Sequence, residues 1–405
     1  MSVVEPSIPS ENPSRKNPTR KAMASPKIGV LTGGGDCPGL NNVIKLLVNE
    51  SGRFKMEGIT EGLKGAILMA IDPSVKTVST YTLPMDNDLV SGKDRQGGTM
   101  LMSSRANPLN YEGNDVSDAV VDFLNKRYHA VIAIGGEDTL GAAGRLAEKG
   151  LRVIGVPKTI DKDLCGTQFS LGYDSALNSI SNDLENLIST AGSHGRTYFV
   201  EVMGRKAGHL AYWGGHAANA HFITIPEVET DMDMLFQLIR ERKEKLKMER
   251  GYTLKSGRYT IAVISEGTRL KWKGQETAVE ILKGKKDPYG NVSLGGVADF
   301  LEEEYLKRTG HESRSLKLGH LQRGGKPSFH DRILGVRLGH RALELLKADQ
   351  FGRMVTFNEG IFGDVSLDTV IGRIRIIDAQ KCYDAANFRP VITGDRMYHE
   401  KEVPK

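Results

Sequence analysis

Residues 27–50 read KIGVLTGGGDCPGLNNVIKLLVNE, and the order of residue types within them decides the fold. KIGVLT is a short apolar run without alternation, GGGDCPG is a turn, and LNNVIKLLVN carries its apolar residues at helical spacing. A strand, a tight turn and a helix over about 39–50 therefore follow one another. The same texture returns along the chain. HAVIAIGG (129–136) runs into Glu137, Asp138 and Thr139 and a helix to about 148, RVIGVPKT (152–159) is a further strand, and 174–190 is a long amphipathic stretch. TYFVEVMG (197–204) precedes a helix over 206–219, and HFITIPE (221–227), YTIAVISEG (259–267) and SRSLKLGH (313–320) are later strands, with helices near 294–308 and 329–347. Strands that are apolar throughout are buried on both faces, which means parallel sheets covered by helices. The expected class is α/β and doubly wound. Such sheets bind ligands at the carboxyl ends of their strands, where the Gly-rich and polar segments of this chain collect.

Composition narrows the function. Over 405 residues the chain is 39% hydrophobic and 26% charged, ordinary for a soluble globular protein, and its length implies roughly two or three domains. Glycine is in excess, 46 residues against 15 prolines, which points to tight βα turns rather than disorder. A net charge of +5 is too mild to require nucleic acid, and the charge run RERKEKLKMER (240–250) reads as a solvated helix face. No uncharged apolar run reaches the roughly 18 residues of a membrane span, so no membrane is expected as a partner. Cys37, Cys165 and Cys382 lie far apart and form no C-x-x-C, so neither a disulfide framework nor a zinc site is expected; the expected compartment is the cytoplasm. Residues 1–24, rich in Ser, Pro and Asn, read as a flexible tail, not a transit or signal peptide.

The candidate chemistry sits just past the strands. TGGGDCPG (32–39) is either a tight βα turn or a cradle in which backbone N–H groups approach a phosphate; it is neither a Walker A loop nor G-x-G-x-x-G. In IGGEDT (134–139), Asp138 or Thr139 caps the helix, or a carboxylate holds a divalent cation beside phosphates. PKTIDKDL (157–164) places Asp161 and Asp163 at i,i+2 after Lys158 and Thr159. A base, a metal neighbour and a cation within seven residues suit phosphoryl transfer; an Asp-rich turn is the plainer reading. VEVMGRKAGH (200–209) and LKLGHLQRGG (316–325) each set a guanidinium, Arg205 or Arg323, beside a glycine, and planar Arg suits a phosphate monoester. His320 lies within such a motif, whereas His209, His216 and His221 lack metal spacing and read as helix-face or core residues.

Taken in order, GGGDCPGLN, GGTMLMSSR (97–105), GGEDT, PKTIDKD, VEVMGRKAGHLA, ISEG and GHLQRGG resemble the motifs of the phosphofructokinases, from about Lys27 to Arg353. The resemblance implies two doubly wound parallel-sheet, Rossmann-like domains facing a cleft, and a helix-rich ending. A phosphoryl-donor domain would comprise residues 25–172 plus 322–372, and a fructose 6-phosphate domain 173–321 plus 373–405. It implies transfer of a phosphoryl group to the C1 hydroxyl of fructose 6-phosphate with Mg2+ as cofactor. Residue by residue, Gly34 would sit against the donor and Asp161 would be the general base, flanked by Thr159 and Ile160. Met203, Gly204, Arg205 and Glu266 would contact the sugar. His320 and Arg323 would hold the 6-phosphate, with Leu321 and Gln322 between them. Arg105 resembles the arginine that reaches the transferring phosphate. Glu137 would hold magnesium, with Asp163 nearby. Arg196 and Arg314 resemble arginines supplied to a neighbouring subunit in a homodimer or homotetramer.

Position 138 bears on the donor. ATP-using members have a small residue where the nucleotide's α-phosphate passes; Asp138, with Lys158 before TID, resembles the pyrophosphate-using branch. Two like charges about 4 Å apart at an effective dielectric near 20 repel by roughly 4 kcal/mol, about a thousandfold in binding. Lys158 would stabilise charge on the departing phosphate. The rival readings are an ATP-dependent phosphofructokinase, a non-catalytic regulatory subunit of the same fold, and an NAD-kinase-like protein. Two residues depart from the family pattern: Glu137 where Asp is commoner, and Lys162 where TIDND has Asn. Lys162, set between Asp161 and Asp163, is expected to lower the basicity of Asp161 or to disturb the magnesium.

Overall fold

The structure is a computed structural model that describes residues 25–250 and 259–405. The tail expected at residues 1–24 lies outside the described residues. The larger sheet runs, in spatial order, through Ile361–Ser366, Arg353–Asn358, Val153–Pro157, Ala130–Gly135, Lys27–Thr32, Lys55–Ile59 and Thr82–Pro84. Its inner strands are parallel and its two edge strands antiparallel to their neighbours. Successive strand residues point to opposite faces. Ile132 and Ile134 accordingly join a core with Val43, Leu47 and Leu338, while Val131 and Ala133 join another with Leu63, Leu124 and Leu146. Helices Leu40–Asn49 and Phe329–Lys347 cover the first face; Leu63–Ile71, Ser117–Arg127 and Glu137–Glu148 cover the second. Both faces are dry, so KIGVLT and AVIAIG need not alternate.

The second sheet, Ser313–Lys317, Thr197–Val202, Thr260–Ser265 and Phe222–Thr224, is parallel throughout. Tyr173–His194 and His209–Ala217 pack on one face, Met232–Arg250 and Val297–Thr309 on the other. The charged stretch read at 240–250 is the end of one of these helices, whose Leu235, Phe236 and Ile239 enter the core. The architecture is therefore α/β and doubly wound, as the strand pattern implies. Among the described residues no helix is long and apolar enough to cross a membrane.

The chain passes between the sheets at Gly172 and again near Ser328, and buried Asp331 pins both passages. It accepts from Gly172 N at 3.0 Å, Ser175 N at 2.8 Å and Ser175 Oγ at 2.6 Å. The helix-rich ending is not what forms. After residue 353, two strands complete the larger sheet, and Arg373–Ile377 pairs antiparallel with Glu400–Pro404. RMVTFN and RIRII are rich in residues that favour a pleated surface. Their arginines also find carboxylates on the adjacent strand: Arg353 meets Asp364, and Arg373 and Arg375 each meet Glu402 at 3.3 Å.

Candidate active site

The carboxyl ends of the two sheets face each other across two adjoining cavities. The larger, about 350 Å³, is lined by Met203, Arg205, Glu266, His320 and Arg323, together with Glu201, Asp287, Asn291 and Lys317. The smaller, about 50 Å³, is lined by Gly34, Glu137, Asp138, Lys158, Thr159, Asp161 and Asp163. Arg105, Arg205 and Arg323 line both, so three guanidinium groups stand where the cavities meet.

The glycine turn works by close approach. Gly34 has φ +76°, and a Cβ on Gly35 would lie 2.3 Å from Arg323 Nη1. The amides of Gly33 and Gly34 are not free for a phosphate: they donate to the Ile134 and Ser104 carbonyls, each at 2.9 Å. The segment 97–105 is thereby laid across the turn, with Ser103 Oγ donating to Gly34 O at 2.6 Å and Thr32 Oγ1 to Met102 O at 2.7 Å, and it delivers Arg105 to the cleft. Beneath it the buried Lys158 ammonium donates to the Gly35 carbonyl, and burial lowers its pKa.

The acidic residues gather on the smaller cavity. Gly136, not Asp138 or Thr139, occupies the cap position of helix Glu137–Glu148, so neither side chain is spent on capping. Asp138 meets Lys405 Nζ at 3.0 Å, Asn291 Nδ2 at 3.1 Å and Arg205 Nη1 at 3.5 Å. Burial alone would raise its pKa, but the Lys405 and Arg205 charges outweigh burial and hold it below the usual carboxylate range. Glu137, 2.5 Å from Lys405, is pushed up to about 7 by burial, with Asp138 adding to the effect and Lys405 opposing it. Asp163 is likewise raised to about 7, by burial and then by Asp161 and Glu137. The Oδ1 atoms of Asp161 and Asp163 are buried and have no hydrogen-bond partner.

These oxygen-only donors fit magnesium, a hard cation that takes one or two carboxylates and completes its shell with water and phosphate. Among the described residues no group of three or more His, Cys, Asp or Glu side chains is placed to hold a metal ion by itself.

Lys162 does not stand between the two carboxylates. Its φ of +56° turns the side chain to the opposite side of the loop, where the ammonium meets Glu400 and lies 3.5 Å from the Tyr398 ring centroid. It reaches neither cavity, so the expected disturbance of Asp161 or the metal is corrected: the left-handed residue separates the cation from the acids flanking it.

On the sugar side, the Arg205 amide donates to Glu266 Oε1 at 3.1 Å, and burial, reinforced by Asp161, raises Glu266 to about 7. Gln322, buried, accepts from Met203 N at 3.2 Å and so ties two motifs together without lining either cavity. Gly204 is the turn, with φ +132°. Ile160 is a core residue, and Leu321 is 64% exposed; neither lines a cavity. Arg196 and Arg314 sit at the amino ends of their strands, opposite the cavities; Arg314 pairs with Glu312 at 3.7 Å and Glu302 at 3.8 Å.

Sequence reading missed several lining residues. Asp287, 3.6 Å from Arg205 Nη2 and 3.8 Å from Arg105 Nη1, and Asn291 belong to the turn DPYGN, whose composition signals a turn but not its return to the cleft. Glu201 and Lys317, 2.7 Å apart, lie on strands singled out for other residues. Lys405 carries no signal in the sequence.

A family model described as Phosphofructokinase matches residues 27–346. A relative from Dictyoglomus thermophilum, named pyrophosphate–fructose 6-phosphate 1-phosphotransferase, is 40% identical over 361 residues, covering 88% of this chain and 96% of its own. Another from Clostridium perfringens (strain 13 / Type A), named ATP-dependent 6-phosphofructokinase 2, is 36% identical over 371 residues, covering 87% and 94%. The crystal structure of a pyrophosphate-dependent phosphofructokinase from Marinobacter aquaeolei shares the fold, with a TM-score of 0.71 at 19% identity over 91% of this chain and 89% of that one. With the ordered motifs meeting at one cleft and the family model spanning most of its length, the chain belongs to the phosphofructokinase family.

Proposed function

We propose that the chain transfers a phosphoryl group reversibly from pyrophosphate to the C1 hydroxyl of fructose 6-phosphate, giving fructose 1,6-bisphosphate and phosphate. The observation that carries the donor choice is Asp138: a half-buried, ionised carboxylate on the wall of the smaller cavity. A negative charge fixed at that wall opposes the further phosphate of a nucleotide passing beside it. The name of the Dictyoglomus relative agrees; the ATP-using name of the Clostridium relative favours the rival, which Asp138 opposes.

In this reading the larger cavity takes the sugar phosphate, with the 6-phosphate on His320 and Arg323 and the ring against Met203 and Glu266. Asp161, on the wall of the smaller cavity, accepts the C1 hydroxyl proton. Arg105, Arg205 and Arg323 stabilise the charge on the phosphoryl group as it crosses. Lys158 compensates the departing phosphate. Magnesium, held by Glu137 with Asp163 nearby, would neutralise charge on the phosphate oxygens. The donor domain is residues 25–172 plus 322–372 and the sugar domain 173–321 plus 373–405. Arg196 and Arg314 serve a neighbouring subunit of a cytoplasmic homo-oligomer.

The test is Asp138→Gly, assayed with each donor. Pyrophosphate use should fall and ATP turnover appear, the ratio shifting by about 10- to 100-fold. The bare-charge figure is about a thousandfold, and Lys405 and Arg205 offset part of it. Unchanged rejection of ATP would mean that another wall excludes the nucleotide.

A further inference from the structure

Lys162 occupies a left-handed backbone conformation, φ +56°, in the loop that carries Asp161 and Asp163. Such a conformation is unfavourable for a lysine and persists only where its surroundings hold it. The surroundings here are specific. Lys162 is 2% exposed, and its ammonium is ion-paired with Glu400 and lies 3.5, 5.1 and 5.3 Å from the ring centroids of Tyr398, Phe169 and Tyr173. Glu400 is itself held by Arg375 Nη1 at 3.2 Å. The ribbon that supplies Glu400 also grips the loop by its backbone: Arg375 N donates to Asp163 O at 2.8 Å, and Glu402 Oε1 accepts from Gly166 N at 2.9 Å.

We propose that Lys162 and Glu400 are a positioning pair, which holds the left-handed turn at Lys162 and so directs the Asp161 and Asp163 carboxylates into the cleft. The pair touches no reacting atom. It acts from behind the loop, drawing residue 162 one way so that its two acidic neighbours face the other. The inference rests on the phosphoryl-transfer reading for its kinetic consequence, but not for its structural one.

The experiment compares the parent with Glu400→Gln and with Lys162→Asn/Glu400→Gln, using hydrogen exchange of the peptide spanning 158–166, kcat and KM with pyrophosphate and fructose 6-phosphate, and thermal melting. In Glu400→Gln, exchange in 158–166 should rise about tenfold or more, and kcat should fall about 10- to 100-fold, the scale expected when a reacting group is misplaced by about 1 Å. KM for the sugar should move by less than about threefold, because the residues that bind it are untouched. Asparagine accepts a left-handed backbone without a partner, so the double variant should regain most of kcat while the ribbon stays loosened. Unchanged exchange in 158–166 would overturn the proposal, and because exchange requires no turnover it does so whatever the donor. A loss of kcat that merely follows the folded fraction on melting, or a double variant no more active than Glu400→Gln, would overturn it as well.

Discussion

Lys405→Met should tighten magnesium binding. In the structure the Lys405 ammonium bridges Glu137 Oε2 at 2.5 Å and Asp138 Oδ1 at 3.0 Å, with a quarter of its side chain exposed. A divalent ion on Glu137 would lie about 4 Å from that ammonium and meet a repulsion of roughly 8 kcal/mol at an effective dielectric near 20, so the two cations exclude each other. Binding the ion therefore first breaks the Lys405 contacts. Hydrogen bonds to charged groups contribute about 1.5–3 kcal/mol each, and partial exposure brings the combined contribution of these two to the lower part of that range. Removing the competitor should then lower the Kd for Mg2+ by about 10- to 100-fold, at about 1.4 kcal/mol per tenfold. The assay is calorimetric titration with Mg2+, repeated by electron spin resonance with Mn2+, in the absence of both substrates. It is best run near pH 8.5, about 1.5 units above the value near 7 to which burial raises Glu137, so that protonation does not compete. Unchanged or weaker metal binding in the variant would refute the reasoning, because it would mean that Lys405 and the ion do not share Glu137.

Three further outcomes follow from the geometry. Asp161→Asn should lower kcat by about 10²–10⁴-fold without lowering the melting temperature, since the partnerless Oδ1 has no hydrogen bond to lose; an equal loss of folding would make Asp161 structural. Glu266 titrates at about 7 when folded against 4.5 in its ordinary state, so the native protein binds the extra proton between those values and loses stability as pH rises through them. Glu266→Gln should accordingly melt higher than the parent at about pH 8 and near the parent at about pH 4.5, by up to about 3 kcal/mol, and equal melting at the higher pH would refute the assignment. Gly35→Ala puts a methyl group 2.3 Å from Arg323 Nη1, and the displaced guanidinium should raise KM for fructose 6-phosphate about tenfold or more, measured by steady-state kinetics; an unchanged KM would show that Arg323 does not hold the sugar phosphate.

What could be read from the chain was whatever depends on local pattern. KIGVLT and AVIAIG announce doubly covered parallel strands because burial on both faces suppresses alternation. The motifs at strand ends locate Asp161, Arg205 and Arg323 because a parallel sheet exposes its ligand site there. What escaped is set by contacts distant in sequence. Lys162 reads as a cation between two acids, and only Glu400, 238 residues away, shows why it turns from them. Lys405 reaches Glu137 across 268 residues through the pairing of 373–377 with 400–404, a ribbon formed where helix was expected. The Gly33 and Gly34 amides look free in a glycine turn until the 97–105 segment and the strand beside it claim them.

The central claim is the identity of the phosphoryl donor, and the most direct test is a coupled assay on the purified protein with magnesium and fructose 6-phosphate, supplied with pyrophosphate or with ATP. Turnover with pyrophosphate and none with ATP is the predicted result. Turnover with ATP alone would contradict the reading of Asp138, and a folded sample silent with both donors would make the chain a non-catalytic member of its family.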